Sequence, residues 1–188
     1  MSPRHNNRDA LLEGAIQCLQ ERGYAGTRAR DIAAAADAGL ASIGYHFGST
    51  EALLGEALTE AFTRWFAEYA KAVATDHQET TKSPIDRAAN ALHASLEQNQ
   101  GMALAFVEAL AQAPRSEPLR AALADIYAQG RQAVAVLFNL PRDGSEEAVA
   151  SVMMAIFDGL LIQAILDPDG VPDADRVTAA IKRIGSLA

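Results

Sequence analysis

The sequence predicts an all-α protein of about nine helices, divided into a small N-terminal domain at residues 1–48 and a larger helical domain at residues 49–188. Alanine and leucine dominate and runs of β-branched residues are scarce, a composition that favours helices. Apolar residues recur at a spacing of three and four positions, which indicates helices with one buried face. Apolar residues make up 49% of the 188 positions, enough to bury a core and too many for a disordered chain.

The first three helices lie close together in the sequence. The first is predicted from Asn7 to Arg22, where an apolar stripe follows one side until Gly23 ends it. The second covers Arg28–Ala36, and the third covers only Leu40–Phe47. About three residues join the second helix to the third. This spacing is typical of a helix-turn-helix, in which two short helices cross steeply and the second enters the DNA major groove.

Six further helices are predicted from their start and stop signals. Ser49 is a good N-cap for the fourth helix, which reaches about Ala74, and the polar residues 74–83 are predicted to form a loop. The fifth helix begins at Ser83-Pro84 and is closed by Asn99-Gln100-Gly101, and the sixth covers Met102–Ala113. Ser116 caps the seventh, which reaches Asn139, and Ser145 caps the eighth, which reaches Leu166. A ninth helix ends near Leu187. We predict no strand and find no internal repeat.

Charge is distributed unevenly along the chain. The formal net charge is −8, but residues 1–48 contain five Lys/Arg and five Asp/Glu and are neutral. Residues 49–188 contain eleven basic against nineteen acidic residues and carry the whole deficit. A surface that binds nucleic acid is therefore expected in the first quarter of the chain.

The single cysteine and the N-terminal segment bear on the compartment. Cys18 excludes an internal disulfide framework and fits a reducing compartment, so we expect a cytoplasmic protein. Cys18 is interpreted as a buried, inert thiol, with a redox sensor as the alternative. The first residues lack the apolar core of a signal peptide. The eighth helix is about long enough to span a membrane, but it contains Asp158 and Gln163, and we predict a buried helix and no membrane partner.

Residues 8–58 resemble the tetracycline-repressor (TetR) family of bacterial transcription regulators. The resemblance rests on ERGYAGT after the first helix, RDIA in the second, and ASIGYHFGSTEALL across the third helix and the start of the fourth. The rest of the chain matches the family only in the number and lengths of its helices and in a DGLLIQ segment of the eighth. The resemblance implies an N-terminal three-helix helix-turn-helix DNA-binding domain followed by a C-terminal helical domain for ligand binding and dimerisation.

The chain departs from the family pattern at four positions. Asp37 replaces the usual turn glycine, where a left-handed backbone is often required and Asp is tolerated at a cost. Gly39 replaces the usual cap serine of the third helix and is a weaker N-cap. Arg28 replaces a Thr or Ser at the head of the second helix, which makes Thr27 the candidate cap. Thr50 replaces a lysine at the start of the fourth helix, which removes one expected phosphate contact per subunit.

The resemblance implies a set of residues that contact DNA. Ser42 is expected to bond a base edge, Ala41 to meet a thymine methyl, and Tyr45 and His46 to hold phosphates. The full set comprises Arg28, Leu40, Ala41, Ser42, Gly44, Tyr45, His46 and Thr50.

The residue types alone leave other interpretations open for several of these positions. Tyr45 and His46 are either phosphate contacts or ordinary surface residues. Arg28 and Arg30 are either phosphate contacts or solvated charges, with Asp31 and Glu21 as ion-pair partners for Arg30. The N-terminal residues Arg4, His5 and Arg8 form either a disordered tail or a flexible basic arm on DNA.

Aromatic residues of the fourth helix predict either a plain core or part of a ligand pocket. Phe62, Trp65, Phe66 and Tyr69 share one helical face. The resemblance implies that helices four to seven enclose a small-molecule site, with His93 or Tyr127 as its polar group; His93 is otherwise an ordinary core or surface histidine. The candidate lining residues are Trp65, Tyr69, Leu92, His93, Leu96, Phe106, Tyr127, Met153 and Phe157.

The eighth helix is apolar nearly all round, so we predict that it is buried on every side, partly against a second copy of the chain. The ninth helix offers an apolar stripe beside it, and two copies of each would form a four-helix interface. The candidate interface residues are Phe157, Gly159, Leu160, Gln163, Val177, Ile181 and Ile184.

The sequence thus predicts a homodimeric, ligand-responsive regulator, in its simplest form a repressor that a small, largely apolar effector releases from a palindromic operator in double-stranded DNA. Two alternatives stay open: a helical protein–protein adaptor that has lost DNA binding, and an all-helical enzyme. The enzyme is disfavoured because the four histidines are scattered and no nucleotide, hydrolase or zinc-protease motif is present. No metal or cofactor is expected.

Overall fold

The computed structural model describes residues 3–75 and 84–186, with side chains from 7–74 and 85–186. No strand occurs in these ranges, and the all-α prediction is confirmed. Two short 3₁₀ turns, Ala113–Arg115 and Pro168–Gly170, accompany nine helices in the described residues. The helices are α1 Pro3–Gly26, α2 Ala29–Ala35, α3 Ala41–Phe47, α4 Thr50–Thr75, α5 Pro84–Gln98, α6 Gln100–Gln112, α7 Glu117–Leu137, α8 Glu146–Leu166 and α9 Ala174–Gly185.

Local signals explain several helix boundaries. Gly23 interrupts α1 with φ 70° and ψ 178°, a conformation that glycine adopts without strain. Ser49 accepts a 3.0 Å hydrogen bond from the Ala52 N–H, which confirms it as the cap of α4. Ser145 occupies the predicted N-cap position of α8, but its hydroxyl accepts no capping hydrogen bond from the helix and donates to Asp143 Oδ1 at 2.6 Å. Asp143 lies in the preceding turn, and the hydrogen bonds from Ser145 lower its pKa.

The contacts divide the chain into two compact units. The first contains Met1–Arg64 and Gln100–Ala128, and the second contains Trp65–Asn99 and Gln129–Ala188. These units differ from the division predicted at residue 48, which describes functional domains and stays a prediction. The predicted loop residues 76–83, including the proposed cap Ser83, lie outside the described residues.

In the first unit, α1 packs on α2, α3 and α6. Gly14 allows the close approach of α2, because a Cβ at this position would lie 3.1 Å from the Ile32 carbonyl oxygen. Cys18 is 3% exposed, which confirms a buried thiol, and burial raises its pKa. The largest fully buried side chains of this unit are Leu11, Leu19, Ile32, Leu53, Leu58 and Leu119.

Asn99-Gln100-Gly101 is predicted to end the fifth helix, but α5 ends at Gln98 and Gly101 belongs to the next helix. It lies inside the first turn of α6, where α6 crosses α1. A Cβ at residue 101 would lie only 2.1 Å from the Gln20 carbonyl oxygen. The glycine therefore serves the contact between two helices, a role that its neighbours in the sequence do not reveal.

In the second unit, α5 packs on α9 and α8. Its buried residues include Trp65, Leu96, Ala150, Leu161 and Thr178. Among the described helices, α8 alone is long and apolar enough to cross a membrane, judged by length and composition, a test that core helices of other proteins also pass. In the single chain only Ala150 and Leu161 of α8 are buried, so burial on every side requires the second copy of the chain and stays a prediction.

Candidate DNA-binding surface and aromatic clusters

The corner between α2 and α3 is a tight, well-bonded turn. Asp37 has φ 47°, which confirms that this position needs a left-handed backbone. The Ala38 N–H donates to the Ala33 carbonyl at 2.9 Å and fixes the end of α2. Ile43, 3% exposed, anchors the inner side of α3 together with Ile32. The outer side of α3 is consequently turned away from the core.

The candidate DNA contacts of α3 lie on this outer side. Leu40 and Tyr45 are 57% and 72% exposed. Ala41 and Gly44 are also exposed, and a Cβ at Gly44 would meet nothing within 4 Å. Exposed apolar side chains matter when they adjoin one another, and here they lie on one short helix whose sequence resembles a DNA-reading helix, so this face is a candidate binding surface. The other predicted contacts, Ser42, His46 and Thr50, are half-exposed.

The start of α3 differs from the prediction for Gly39. The cap position is Leu40, which has no side-chain capping bond, while the Ser42 N–H donates to the Gly39 carbonyl at 2.9 Å. The first N–H groups of the helix therefore lack a side-chain acceptor from the cap. Ser42 and Ile43 donate instead to the backbone carbonyls of Gly39 and Leu40, at 2.9 and 3.2 Å.

Aromatic rings connect the end of α3 to α1. The Tyr45 and His46 rings meet edge to face, with centroids 4.9 Å apart. The Arg8 guanidinium lies 4.9 Å from the centroid of Phe47 and also pairs with Glu56 of α4. Arg8 is therefore a fixed residue of α1, and both predictions for it, a disordered tail or a flexible arm, are wrong. The side chains of Arg4 and His5 lie outside the described residues.

The guanidinium groups of Arg28 and Arg30, at the start of α2, are exposed to solvent. The Asp31 carboxylate is 3.2 Å from Arg22 and accepts a hydrogen bond from the Arg28 N–H at 3.2 Å. Arg28 and Arg30 are exposed and form no ion pair with any residue that the structure describes. Thr27 is not the cap of α2, because its hydroxyl donates to the Gly23 carbonyl at 2.6 Å.

The residues predicted to line a ligand pocket fall into two aromatic clusters. In the second unit, the Trp65 ring lies 5.9 Å from Phe157, and its indole N–H donates to the Ser95 hydroxyl. The Tyr69 hydroxyl donates to the Ala88 carbonyl at 3.3 Å, and burial raises the pKa of Tyr69 to about 12. In the first unit, the centroid of the Phe106 ring lies 4.2 Å from that of Phe62 and 6.1 Å from that of Tyr127.

Other candidate lining residues differ in exposure. Leu96 is buried, and Leu92 and Met153 are half-buried. His93 is exposed, and its Nε2 lies 3.6 Å from Glu97 Oε1 one turn further along α5. The sequence did not indicate Ser95, although its buried hydroxyl is the polar partner of the tryptophan. A serine placed among helical residues carries no signal of its burial until the packing is known.

The exposed face of α8 is more extensive than predicted. Gly159 has nothing within 4 Å of an added Cβ, and Ile184 of α9 is 63% exposed. Gln163 is exposed, while Phe157, Leu160, Val177 and Ile181 are half-buried. Further apolar side chains that the prediction omitted lie on α8, namely Val149, Val152, Ile156, Ile162 and Leu166, which are 36–78% exposed.

Comparison with known proteins gives the family. The family model for bacterial regulatory proteins of the tetR family matches residues 11–57, and the model for the C-terminal part of BetI-type transcriptional repressors matches residues 84–184. The HTH-type transcriptional repressor DhaR of Mycobacterium sp. (strain GP1) is 24% identical over 173 residues, which cover 88% of this chain and 85% of DhaR.

Solved structures agree with this assignment. The multidrug binding protein EbrR in complex with imidazole has a TM-score of 0.72 at 25% identity, covering 94% of this chain and 93% of EbrR. A TetR-family regulator from Rhodococcus sp. has a TM-score of 0.69 at 24% identity, covering 95% and 97% of the two chains. These comparisons give no support to the adaptor or to the all-helical enzyme. The chain belongs to the tetR family of bacterial regulatory proteins, whose members are ligand-responsive, DNA-binding transcriptional repressors.

Proposed function

We propose that two copies of this chain bind a palindromic operator through α3 and that a small, largely apolar effector releases them. The observation that carries the proposal is the outer face of α3, where Leu40, Ala41, Gly44 and Tyr45 are exposed while Ile43 anchors the helix. Arg28 and Arg30 beside it are free to approach phosphates. Close approach of a helix without large charged side chains allows contacts from small groups to base edges.

Binding selection and titration test the DNA-binding surface. The purified full chain is used to select sequences from a random duplex library, and its affinity for the selected duplex is then measured by fluorescence anisotropy. Loss of one direct contact typically costs about 1–3 kcal/mol, so Ser42→Ala and Tyr45→Ala should each weaken binding by about fivefold or more. Val136→Ala is the control, because Val136 is 80% exposed on α7 and lies outside this surface. Unchanged affinity in both α3 variants would remove this surface from the mechanism.

We propose that the exposed faces of α8 and α9 form the dimer interface. Val149, Val152 and Ile156 recur at helical spacing on α8, and Gly159 on the same side has open space above it. Such an apolar face on a protein that reads two half-sites favours a second copy as its occupant. Sedimentation velocity tests this: Ile156→Arg should give monomers, whereas Val136→Arg, an equally apolar exposed site on α7, should leave the dimer intact. A monomeric wild-type chain would contradict the proposal.

We propose that the effector binds beside Trp65 and Tyr69. The cluster combines large aromatic surfaces with few polar groups, as small-molecule sites usually do. Trp65 is the only tryptophan, so its fluorescence reports on this region. Proflavin, which is bound in a solved structure of EbrR, is a suitable first probe. Proflavin also intercalates into DNA, so its binding to the free duplex is measured first and subtracted. Saturable quenching of Trp65 that is then coupled to weaker binding of the duplex would support the site, and because linkage is reciprocal the duplex should weaken proflavin binding to the protein by the same factor. Quenching with no change in DNA affinity would contradict it as the effector site.

This role needs no catalytic residue and no cofactor, and we propose that the chain acts in the cytoplasm, where its operator DNA is.

A further inference from the structure

The turn between α1 and α2 is held by several hydrogen bonds. Gly23 opens it with a positive φ, the Thr27 hydroxyl donates to the Gly23 carbonyl at 2.6 Å, and the Thr27 N–H donates to the Tyr24 carbonyl at 3.3 Å. Arg28 follows immediately and is the first candidate phosphate contact of α2. The position of Arg28 relative to α1 therefore depends on the geometry of this turn.

A carboxylate from a distant part of the sequence completes the turn. Glu108 of α6 accepts a 2.9 Å hydrogen bond from the Ala25 N–H on Oε2. The carboxylate lies so close to the backbone that a Cβ on Gly23 would be 2.5 Å from the same oxygen. Gly23 is thus required for its positive φ, and a side chain at this position would displace the Glu108 carboxylate from its present place beside the turn.

The position of Glu108 is set by the crossing of α6 and α1. At Gly101 the two helices are as close as backbone allows, since a Cβ added there would lie 2.1 Å from the Gln20 carbonyl oxygen. Residue 108 lies two helical turns beyond residue 101, which carries its side chain along α1 to the turn where α1 ends. α6 therefore presents the carboxylate from a fixed position.

We propose that Glu108 is a positioning residue for DNA binding: its hydrogen bond to Ala25 holds the α1–α2 turn so that Arg28 can contact the DNA backbone. The proposal rests on the proposed DNA-binding function. Glu108 is not expected to touch DNA, since it is a carboxylate and would repel phosphates. It acts through the turn, and a displacement of α6 would move the turn and weaken the contact made by Arg28.

The direction in which Glu108→Ala changes the affinity for DNA distinguishes a positioning role from a simple effect of charge. Removing a negative charge from a protein of net charge −8 should by itself strengthen DNA binding. Loss of a charge-assisted hydrogen bond that holds the turn should instead weaken it. Glu108→Ala is expected to weaken binding to the selected duplex by about five- to tenfold, and by no more than Arg28→Ala does, because Glu108 acts only through the contact that Arg28 makes. Glu108→Gln, whose amide oxygen still accepts from Ala25, should bind within about twofold of wild type, because it preserves the bond.

The control and the double variant complete the experiment. Asp125→Asn removes the same charge from an exposed site on α7, and we expect affinity equal to wild type or slightly higher. If Glu108 acts through Arg28, the pair Arg28→Ala and Glu108→Ala should bind no more weakly than Arg28→Ala alone. Circular dichroism at the assay temperature verifies that each variant is folded.

Four results would overturn the proposal: unchanged or tighter binding by Glu108→Ala, equal losses in the Ala and Gln variants, no loss in Arg28→Ala, or additive losses in the double variant. Each would leave the proposed function in place if Ser42→Ala and Tyr45→Ala still lose affinity. Absence of DNA binding by the wild-type chain would instead refute the proposed function and this role with it.

Discussion

Replacing Gly101 with alanine tests the crossing of α1 and α6 directly. The added Cβ would lie 2.1 Å from the Gln20 carbonyl oxygen, whereas real Cβ contacts are essentially never shorter than 3.0 Å. The helices must therefore separate by roughly 1 Å, since a backbone carbonyl inside a helix has no alternative rotamer. Alanine itself favours a helix over glycine by about 1 kcal/mol.

The clash lowers the free energy of unfolding and the helix propensity of alanine raises it, so their sizes decide the direction of the net change. Overpacking typically costs about 1–3 kcal/mol, and a clash with backbone lies at or above the upper end of that range. The net expectation is a loss of about 2 kcal/mol in the free energy of unfolding, or a fall of about 4–8 °C in Tm for a chain of this size. Urea unfolding followed by circular dichroism measures this loss; all variants are compared at one protein concentration, because dimerisation contributes to stability.

Gly44→Ala is the matched control for this experiment. It makes the same substitution inside α3, where the added Cβ meets nothing within 4 Å. It should stabilise the fold by up to about 1 kcal/mol while weakening DNA binding, since it adds bulk to the surface that approaches the bases. If Gly101→Ala is as stable as wild type or more stable, α6 does not approach α1 as described, and the crossing does not fix the position of Glu108.

Three further predictions concern single side chains. Ile43→Ala should lower the free energy of unfolding by about 2–4 kcal/mol, while Ile43→Val should lose about 1 kcal/mol, in urea unfolding; equal small losses in both would mean that Ile43 is not the anchor of α3. Because burial raises the pKa of Tyr69 to about 12, this side chain ionises at lower pH in the unfolded chain, and the free energy of unfolding should fall as the pH rises from about 10 to 12. Tyr69→Phe should reduce this fall by about 1–2 kcal/mol in unfolding curves at pH 9, 11 and 12. An unchanged fall would contradict the burial of the hydroxyl. Arg64 donates to Glu13 at 2.9 Å and lowers the pKa of that carboxyl, so the pair stabilises the fold above the pKa of the unfolded carboxyl and loses this effect as the pH falls. Since both side chains are about half exposed, Glu13→Gln should cost only about 0.5 kcal/mol at neutral pH and nothing near pH 3, and a cost that persists in acid would exclude an ion pair as its cause.

The local part of the fold was predictable from the sequence. Helix starts such as Ser49 depend on bonds within four residues, and the left-handed conformation at Asp37 was expected from the resemblance to the family, in which a glycine usually stands at this position. The outer face of α3 was expected from the same resemblance, and Ile43, the apolar residue in the middle of the helix, marks the opposite, buried side. Ser145 shows the limit of such signals: its hydroxyl could accept from an N–H of α8 or donate to the carboxylate of Asp143, and only the bond to Asp143 forms.

Residues whose role depends on a distant partner were not predictable. Arg8 stands among the polar residues of the N-terminal segment, and only the fold brings Phe47 and Glu56 beside it. Ser95 gave no signal before the indole of Trp65 was placed against it.

The sequence by itself determined the all-α class, the order of the helices and the short corner that identifies the family, because these depend on periodicity, caps and turns within a few neighbouring residues. Packing of helices far apart in the chain decided the roles of Gly101 and Glu108. A glycine in a helix and a glutamate on its surface carry no signal of their own. Only the close packing of α6 on the α1 backbone makes a residue without a side chain necessary at position 101 and brings the Glu108 carboxylate to the Ala25 N–H.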